Sequence, residues 1–439
     1  MTFRSLSLCT AAVIFVWASP LAAQQLGPIS GGTVAPGAPV ISPENGAMVG
    51  DGAILHGGVT VEGGYDSNVF YKDTAVVASP LLRITPFLDF TNTSRSGQVP
   101  SGLFFDVRAA VAYREYLSSD SNVTRLRAFM PTASATLEHN SNGTLAFGVS
   151  DTYSRIEDAP YTNDGEIITR DNNLASAQLR WLPGGGRIQG ILRLTNTLDW
   201  FETNSYKPAN SMGNDAMLDV SWRWLPKTAL YLQVRQGYIF YLNNNDANAV
   251  ALMATLGQKS SSFPLRAVFG IRGLITEKTS IALAAGYQSG FYSAGATPSG
   301  VAGSIYAAGE LTYLPLATTR ITIGAKHSFQ NSIIGNFYYD DGAYLALSHQ
   351  TTDRFVSQLW GSYDHKQYYG LVANGVSLDP RIDNLFQAGA VFDYYMRSWA
   401  FAGVSYTLSL NRSDFQPQMM IPGTNYTKHQ VFARLGLTY

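Results

Sequence analysis

Apolar and polar side chains alternate at every second position through most of this chain, and this period of two constrains the fold more than any other feature. Between residues 103 and 114 the odd positions are apolar or aromatic, whereas the even ones include Asp106 and Arg108. The pattern recurs in segments 215–224 and 321–326. Because successive side chains of a β-strand point to opposite faces, each segment predicts a strand with one apolar and one polar face.

The chain of 439 residues has few charges, and they are balanced. Lys and Arg number 30 and Asp and Glu 31, and charged residues make up 14% of the chain, against about 25% in typical soluble domains. This balance excludes a nucleic-acid binder, which needs a dense basic surface. Its polar strand faces mix Arg and Asp with Gly, Ser and Thr, as in a water-filled barrel. Only a closed barrel satisfies the backbone in lipid without an apolar helix.

Three regions are predicted along the chain. Residues 1–23 have the features of a secretory signal peptide, with the apolar core Ala11–Ala18 followed by a small-residue cleavage site. The only cysteine, Cys9, lies in this segment, so the mature chain has no disulfide or thiol chemistry. Residues 24–55, rich in Gly and Pro, predict a flexible periplasmic arm. Residues 56–439 predict an outer-membrane β-barrel.

A short repeat indicates how many strands the barrel has. Arg180–Pro183 reads Arg-Trp-Leu-Pro, returns as Arg223–Pro226, and recurs in shortened form at Tyr313–Pro315. The steps of about 40 to 50 residues correspond to about one hairpin each. The predicted fold class is therefore all-β, a transmembrane antiparallel up-and-down β-barrel of about 18 strands. Its short periplasmic turns lie at the repeats, and its extracellular loops are long.

Aromatic residues beside the turns and loops predict two interfacial girdles. The periplasmic girdle is predicted to contain Trp181, Trp224, Tyr313 and Trp399. The outer girdle is predicted to contain Tyr116, Tyr153, Tyr238, Phe291, Tyr292 and Tyr369.

The C-terminus is similar to the signal by which outer-membrane barrels are recognised for insertion. Val431, Leu435, Leu437 and the terminal Tyr439 occupy alternate positions of an apolar strand face. We therefore expect export of the Sec type, location in the Gram-negative outer membrane, and partnership with the barrel-assembly machinery and with outer-membrane lipid and lipopolysaccharide. No nucleic-acid partner is expected, and the sequence leaves the oligomeric state open.

One segment near the start of the predicted barrel resembles a known family. Val59–Phe70 contains the sequence Gly64-Tyr65-Asp66-x-Asn68, and Arg272–Thr276 reads Arg-Gly-Leu-Ile-Thr. Both resemble segments of the β-barrel porin type 2 family of Gram-negative bacteria. The resemblance implies an outer-membrane barrel without catalytic residues, and some members of that family sit beside polysaccharide-export systems.

The alternation also predicts which charged side chains line the lumen. They are Asp106, Arg108, Arg114, Arg180, Arg193, Asp219, Arg223, Arg235, Arg266, Arg272, Glu310, Arg320 and Lys326. An inward excess of arginine would concentrate anions in the lumen. Alternatively, these charges pair across neighbouring strands and keep the lumen wet.

Three functions fit such a barrel. The first is a water-filled channel for passive passage of small polar or anionic solutes, with Asn243–Ser261 as the candidate constriction. The second is a conduit for exopolysaccharide, which would work with periplasmic export components. Inward aromatic rings would then stack on sugars, and the candidates are Phe104, Tyr231, Tyr306, Tyr344 and Trp360. The third is a non-conducting structural or adhesive barrel.

No motif predicts an enzyme, a cofactor or a metal site. The six histidines are scattered, without the spacing of zinc ligands. One enzymatic alternative is an outer-membrane hydrolase, in which Asp340 or Asp341 pairs with His327, His349 or His365 to activate water.

Overall fold

The structure is a computed structural model, and it consists almost entirely of β-strands. It describes residues 45–50, 52–94, 99–100, 102–158, 167–243, 259–292, 303–333, 335–373, 376–377, 379–414 and 425–439. Helical residues in these ranges form single turns such as Ser121–Thr124. In the same ranges, no helix has the length and apolar character needed to cross a membrane.

Eighteen long strands follow one another in chain order, and each pairs in antiparallel fashion with the next. The first nine are β1 (Ala53–Asp66), β2 (Ser79–Thr91), β3 (Leu103–Tyr116), β4 (Ala128–His139), β5 (Leu145–Asp158), β6 (Ile168–Trp181), β7 (Ile188–Phe201), β8 (Ser211–Leu225) and β9 (Thr228–Tyr241). The other nine are β10 (Leu265–Leu274), β11 (Thr279–Ser289), β12 (Gly303–Leu316), β13 (Thr319–Asn331), β14 (Phe337–Thr352), β15 (Phe355–Tyr369), β16 (Arg381–Arg397), β17 (Ala400–Ser413) and β18 (Tyr426–Thr438).

The first and last strands close the sheet into a barrel. β1 pairs with β18, so that Gly58 lies opposite Thr438 and Asp66 lies opposite Gln430. None of the eighteen described strands is left with a free edge, which is the condition for a sheet to span lipid. The predicted fold class, a closed up-and-down barrel of about 18 strands, is confirmed.

A short strand precedes the barrel wall. Ala47–Val49 pairs antiparallel with Ala53–Leu55 at the beginning of β1. The wall therefore begins before His56, and the end of the predicted arm, residues 24–55, contacts it. Residues 24–44 lie outside the described residues.

The two ends of the barrel differ in their connections. Short connections join the strands at one end, among them 226–227, 317–318, 353–354 and 398–399. Longer ones join them at the other end, among them 67–78, 117–127, 370–380 and 414–425. Outer-membrane barrels place their short turns in the periplasm, so the short-turn end is called the inner end and the loop end the outer end.

The outward face of the barrel is apolar, as the alternation predicts. On β18, the exposed side chains include Val431 and Leu435, at 44% and 58%, whereas Lys428, Gln430 and Arg434 are at most 7% exposed. Odd positions of this strand therefore face outward and even positions face the lumen. All four predicted insertion-signal residues, Val431, Leu435, Leu437 and Tyr439, are exposed on the outward side.

Exposed aromatic residues lie near the inner end. Trp181, Trp224 and Trp399 are each about half exposed beside short connections. The prediction that Tyr116 belongs to the outer girdle is wrong, because Tyr116 is 3% exposed and faces the lumen. Tyr116 occupies an even position of β3 and lies on the same face as Asp106.

Candidate functional site: the lumen and its outer mouth

The charged residues predicted to line the lumen all lie at inward-facing strand positions. They are Asp106, Arg108 and Arg114 on β3, Arg180 on β6, Arg193 on β7, Asp219 and Arg223 on β8, Arg235 on β9, Arg266 and Arg272 on β10, Glu310 on β12, and Arg320 and Lys326 on β13. Their role in selecting solutes stays a prediction.

Many inward charges form pairs between strands. Arg235 contacts Asp215 at 2.8 Å, and Arg272 contacts Asp219 at 3.2 Å. Further inward pairs are Arg83 with Glu62 at 3.1 Å, Lys326 with Asp340 at 2.6 Å, and Arg434 with Asp393 at 2.5 Å. The list of charges predicted to line the lumen does not include Glu62, Asp215 or Asp340. These acids offset part of the predicted excess of arginine, so the alternative of cross-strand pairing describes much of the wall.

Three arginines near the inner end differ from these paired charges, because they have no carboxylate partner among the described residues. Arg180, Arg223 and Arg320 lie within a few residues of the short turns, and none forms a salt bridge within the described part of the chain. Arg180 donates instead to the carbonyl oxygen of Ser141. These arginines therefore carry positive charge without a paired carboxylate at the inner end of the lumen, and such charge attracts anions.

An apolar cluster crosses the lumen near the outer end. Ile168 on β6 and Phe201 on β7 pack in one cluster with Leu385 on β16, Tyr426 on β18 and Tyr71 of the β1–β2 loop. The cluster also contains Ala209, and Tyr206 and Ile333 pack against it. β6 and β7 lie on the side of the eighteen-strand wall opposite β16 and β18. Side chains that join these two sides cross the bore at this level.

A second apolar cluster adjoins the first. Val69 and Phe70 of the β1–β2 loop pack with Val123 and Leu126 of the β3–β4 loop and with Phe432 on the inward face of β18. Each of these side chains is at most 4% exposed. The two loops therefore fold into the lumen instead of extending away from it, and together the two clusters span the outer mouth.

Asp66, at the end of β1, fixes this inward fold. Its carboxylate is fully buried and lies 2.9 Å from the ammonium nitrogen of Lys428. It accepts hydrogen bonds from the backbone N–H of Asn68 at 3.0 Å, from Gln430 Nε2 at 3.0 Å and from the Tyr116 hydroxyl at 3.3 Å. Four donors on two strands and one loop thus converge on one carboxylate.

Asn68 and Tyr71 complete the anchoring of the β1–β2 loop. Asn68 Nδ2 donates to the carbonyls of Lys72 and Thr427 at 2.6 and 3.0 Å, and its Oδ1 accepts from the Lys72 N–H at 2.9 Å. Tyr71 adopts a left-handed backbone with φ of 54°, and its ring centroid lies 3.8 Å from Lys428 Nζ. We call Asp66, Asn68, Tyr71 and Lys428 the latch. The Gly-Tyr-Asp-x-Asn sequence therefore has a structural role at the mouth.

Lys259 ties another loop into the mouth. Its buried ammonium group donates to the carbonyls of Ser332 and Gly335 at 3.1 and 2.6 Å, and burial lowers the pKa of Lys259 to about 7. The β9–β10 loop is thereby attached to the β13–β14 loop. Of the predicted constriction Asn243–Ser261, residues 244–258 lie outside the described residues, so its position in the lumen stays a prediction.

Inward aromatic rings lie flat against glycines of neighbouring strands. A Cβ atom on Gly324 would lie 2.3 Å from the Tyr344 ring, and one on Gly389 would lie 2.4 Å from Trp360 Nε1. Further pairs are Phe87 on Gly58, Tyr231 on Gly270, Phe401 on Gly436 and Phe432 on Gly64. Glycine is required at these positions because the ring occupies the space of a side chain. Each ring therefore has one face on the wall and the other toward the lumen.

Arginine covers the lumenal face of most of these rings. The guanidinium carbon of Arg272 lies 4.8 Å from the centroid of the Tyr231 ring. The other covered rings of this set are Phe87 under Arg108, Phe401 under Arg434 and Phe432 under Arg83, and Arg266 covers a further inward ring, Tyr306. Among the described residues, no cation lies over Tyr344 or Trp360. Of the predicted sugar-stacking residues, which also include Phe104 at an inward position of β3, these two have open faces and rest on glycine.

A methyl group at one of these glycines should disturb the wall. We expect Gly389→Ala to lower the free energy of unfolding by about 1–3 kcal/mol, because its Cβ overlaps the Trp360 ring. Urea unfolding of the lipid-reconstituted protein, followed by tryptophan fluorescence, measures this loss. Gly361→Ala is the control, since its Cβ meets only the Gln387 carbonyl at 3.8 Å. Equal stability of the two variants would contradict the ring-on-glycine contact.

The residues of the hydrolase alternative do not form one site. Asp340 faces the lumen, whereas Asp341 faces outward and lies 2.5 Å from His327 Nδ1. His349 lies near the inner end, beside Thr319, and His365 contacts Asn384. Because neighbouring strand residues point to opposite faces, Asp340 and Asp341 cannot act on the same substrate group. Within the described ranges, no three potential ligands are grouped to hold a metal ion.

Comparison with known proteins gives likeness at the level of architecture. No family model matches the chain, and no curated protein matches it, so membership of the β-barrel porin type 2 family stays a prediction. The siderophore receptor PirA from Pseudomonas aeruginosa is similar at 9% identity and a TM-score of 0.43, over 88% of this chain and 80% of that one. The FrpB iron transporter from Neisseria meningitidis is similar at 7% identity and a TM-score of 0.45, over 88% and 82%.

At such identities the likeness concerns the fold alone, and the ligands in those names are not transferred to this protein. The closed eighteen-strand wall, the apolar outward face and the polar lumen are features of the chain itself. The chain has the fold of an outer-membrane β-barrel.

Proposed function

We propose that this protein is an outer-membrane channel for small polar solutes whose outer mouth is closed in the conformation described and opens when the β1–β2 loop moves. The observation that carries the proposal is the apolar cluster of Tyr71, Phe201, Leu385 and Tyr426, which lies across a lumen lined elsewhere by polar and charged groups. Barrels of 16 to 18 strands enclose a bore wide enough for water. A closed mouth above a polar bore fits a gated channel better than a solid structural barrel.

The proposal includes the location and partners of the protein. We place it in the Gram-negative outer membrane after Sec-type export, inserted by the barrel-assembly machinery through the C-terminal strand that ends at Tyr439. Its apolar outward face contacts lipid and lipopolysaccharide. We propose no catalytic activity. The resemblance to the β-barrel porin type 2 family supports the same reading.

The open channel should favour anions, because Arg180, Arg223 and Arg320 remain without carboxylate partners at the inner end. In planar bilayers with a salt gradient, we expect discrete openings and a reversal potential on the anion-selective side. Replacing all three arginines with Gln should shift this potential toward cation preference. The control is Arg412→Gln, which removes an exposed arginine from the outward face of β17.

Two outcomes would count against the proposal in different ways. A cation-selective wild-type channel would overturn the anion preference and leave the channel standing. Complete absence of conductance, in the wild type and in variants with a disrupted latch, would favour a non-conducting structural or adhesive barrel.

Export of a polysaccharide is the second candidate function, and the open ring faces of Tyr344 and Trp360 favour it. Deleting the gene should abolish surface polysaccharide if the barrel is an export conduit that works with periplasmic components. If the barrel is a solute channel, deletion should change only the uptake of small solutes.

A further inference from the structure

Tyr344 and Trp360 lie next to each other in the wall. In the pairing of β14 with β15, Tyr344 lies opposite Ser362 and Ala346 lies opposite Trp360, so the two rings occupy diagonal positions on the inward face. The rings extend in opposite directions, Tyr344 over Gly324 and Trp360 over Gly389. Both rings therefore lie on one inward surface that spans four strands, with their centres about three strand spacings, or roughly 14 Å, apart.

This surface remains open to the lumen, in contrast to the other rings that rest on glycines. Tyr344 is 37% exposed, and no cation of the described residues lies over either ring. The Tyr231 ring also packs on a glycine, Gly270, but Arg272 covers its other face. The wall itself therefore supplies a comparison between an open ring and a covered ring.

Polar groups border the open surface. The Tyr344 hydroxyl donates to Glu310, and Lys326 contacts Asp340 at 2.6 Å and Asp364 at 3.7 Å. Trp360 has no acceptor for its indole N–H within the described residues. Hydrogen-bonding groups beside flat aromatic faces suit a ligand that is apolar on its ring faces and polar around its edge. Lys366 lies opposite Asp340 on the same inward face. The three carboxylates outnumber the ammonium groups of Lys326 and Lys366 by one, so this part of the lumen is unfavourable for a polyanion.

We propose that Tyr344 and Trp360 form a carbohydrate subsite in the lumen, on which the C–H faces of pyranose rings stack while Glu310 and its neighbours bond the hydroxyls. The subsite takes neutral oligosaccharides in preference to polyuronates, because of the local excess of carboxylates. This inference rests on the proposed function in one respect only, that the channel admits the sugar to the lumen.

The test is calorimetric titration of the purified full-length protein in detergent with maltohexaose as the probe. We expect saturable binding of maltohexaose, weaker binding of a hexagalacturonate, and none of sorbitol, which has hydroxyls but no pyranose face. Tyr344→Ala and Trp360→Ala should each weaken maltohexaose binding about tenfold. Tyr231→Ala is the matched control and should leave binding unchanged, since its ring is already covered by Arg272.

Tyr344→Phe and Trp360→Phe keep an aromatic ring on each glycine, so they test stacking in a wall that stays folded. Both should retain binding within about threefold of the wild type, because the stacking face is preserved. Absence of maltohexaose binding to the wild type, or an equal loss in Tyr231→Ala, would overturn the subsite. The channel proposal is tested separately by conductance, so a conducting barrel that binds no sugar would refute this inference alone.

Discussion

Replacing Asp66 with Asn is expected to convert the closed mouth into one that opens frequently. The substitution leaves the Lys428 ammonium, 2% exposed, without its carboxylate, and the backbone N–H of Asn68 loses a charged acceptor. Breaking a buried ion pair by removing one partner costs about 3–5 kcal/mol. If most of this cost falls on the closed state, the ratio of open to closed channels rises at least about a hundredfold. The open probability of single channels in planar bilayers measures the change.

Two further variants show whether the latch is responsible. Asp341→Asn removes an exposed carboxylate from the outward face, paired with His327, and should leave the open probability unchanged. Asp66→Asn combined with Lys428→Met removes the stranded charge, so the mouth should close more often than in the single variant. Heat-modifiable mobility on gels establishes that each barrel is folded. A folded Asp66→Asn protein with wild-type open probability would show that the latch does not hold the mouth.

The second large effect concerns the lipid-facing side of the last strand. Leu435 is 58% exposed and lies on the outward face of β18, between Tyr439 at the inner end and the exposed Tyr65 and Tyr406 farther out. Leu435→Arg places a charge near the middle of the apolar band. We expect a loss of about 2–4 kcal/mol in the free energy of unfolding from lipid vesicles. Insertion in cells should fall as well, because Leu435 belongs to the predicted C-terminal signal.

An arginine introduced on the lumenal face of the wall provides the control. Thr136 on β4 lies opposite Asp106 and faces the lumen, so Thr136→Arg places opposite charges side by side and should change the free energy of unfolding by less than about 0.5 kcal/mol. Denaturant titration of both variants in vesicles of one lipid gives the comparison. Equal destabilisation by the two arginines would mean that the assignment of inward and outward faces is wrong.

The wall of the barrel was predictable because its signal is local. Each strand shows its two faces within its own residues, as at Asp106 and Arg108, and the repeat at Arg180–Pro183 and Arg223–Pro226 lies at the inner ends of β6 and β8. The same parity rule places Tyr116 in the lumen and puts Asp340 and Asp341 on opposite faces. Those two points were therefore readable from the sequence.

The packing across the outer mouth was not predictable in the same way. Asp66 and Lys428 are separated by most of the barrel, and only the pairing of β1 with β18 brings them together. The Trp360 ring packs on Gly389 because of the register between β15 and β16. Alternation alone does not specify this register. Local periodicity identifies which way a side chain points, whereas its neighbours follow from strand pairing and loop packing.

The position of Asp66 and Lys428 has a consequence for how the barrel is made. These residues sit on the first and last strands, the two that meet only when the cylinder is completed. A slip by one residue would turn Lys428 toward lipid, and a slip by two would separate the buried charges. Correct joining of the seam and sealing of the mouth therefore depend on the same pair. A mis-joined barrel should therefore leak as soon as it is assembled. Increased permeability of the membrane would then indicate that assembly had failed.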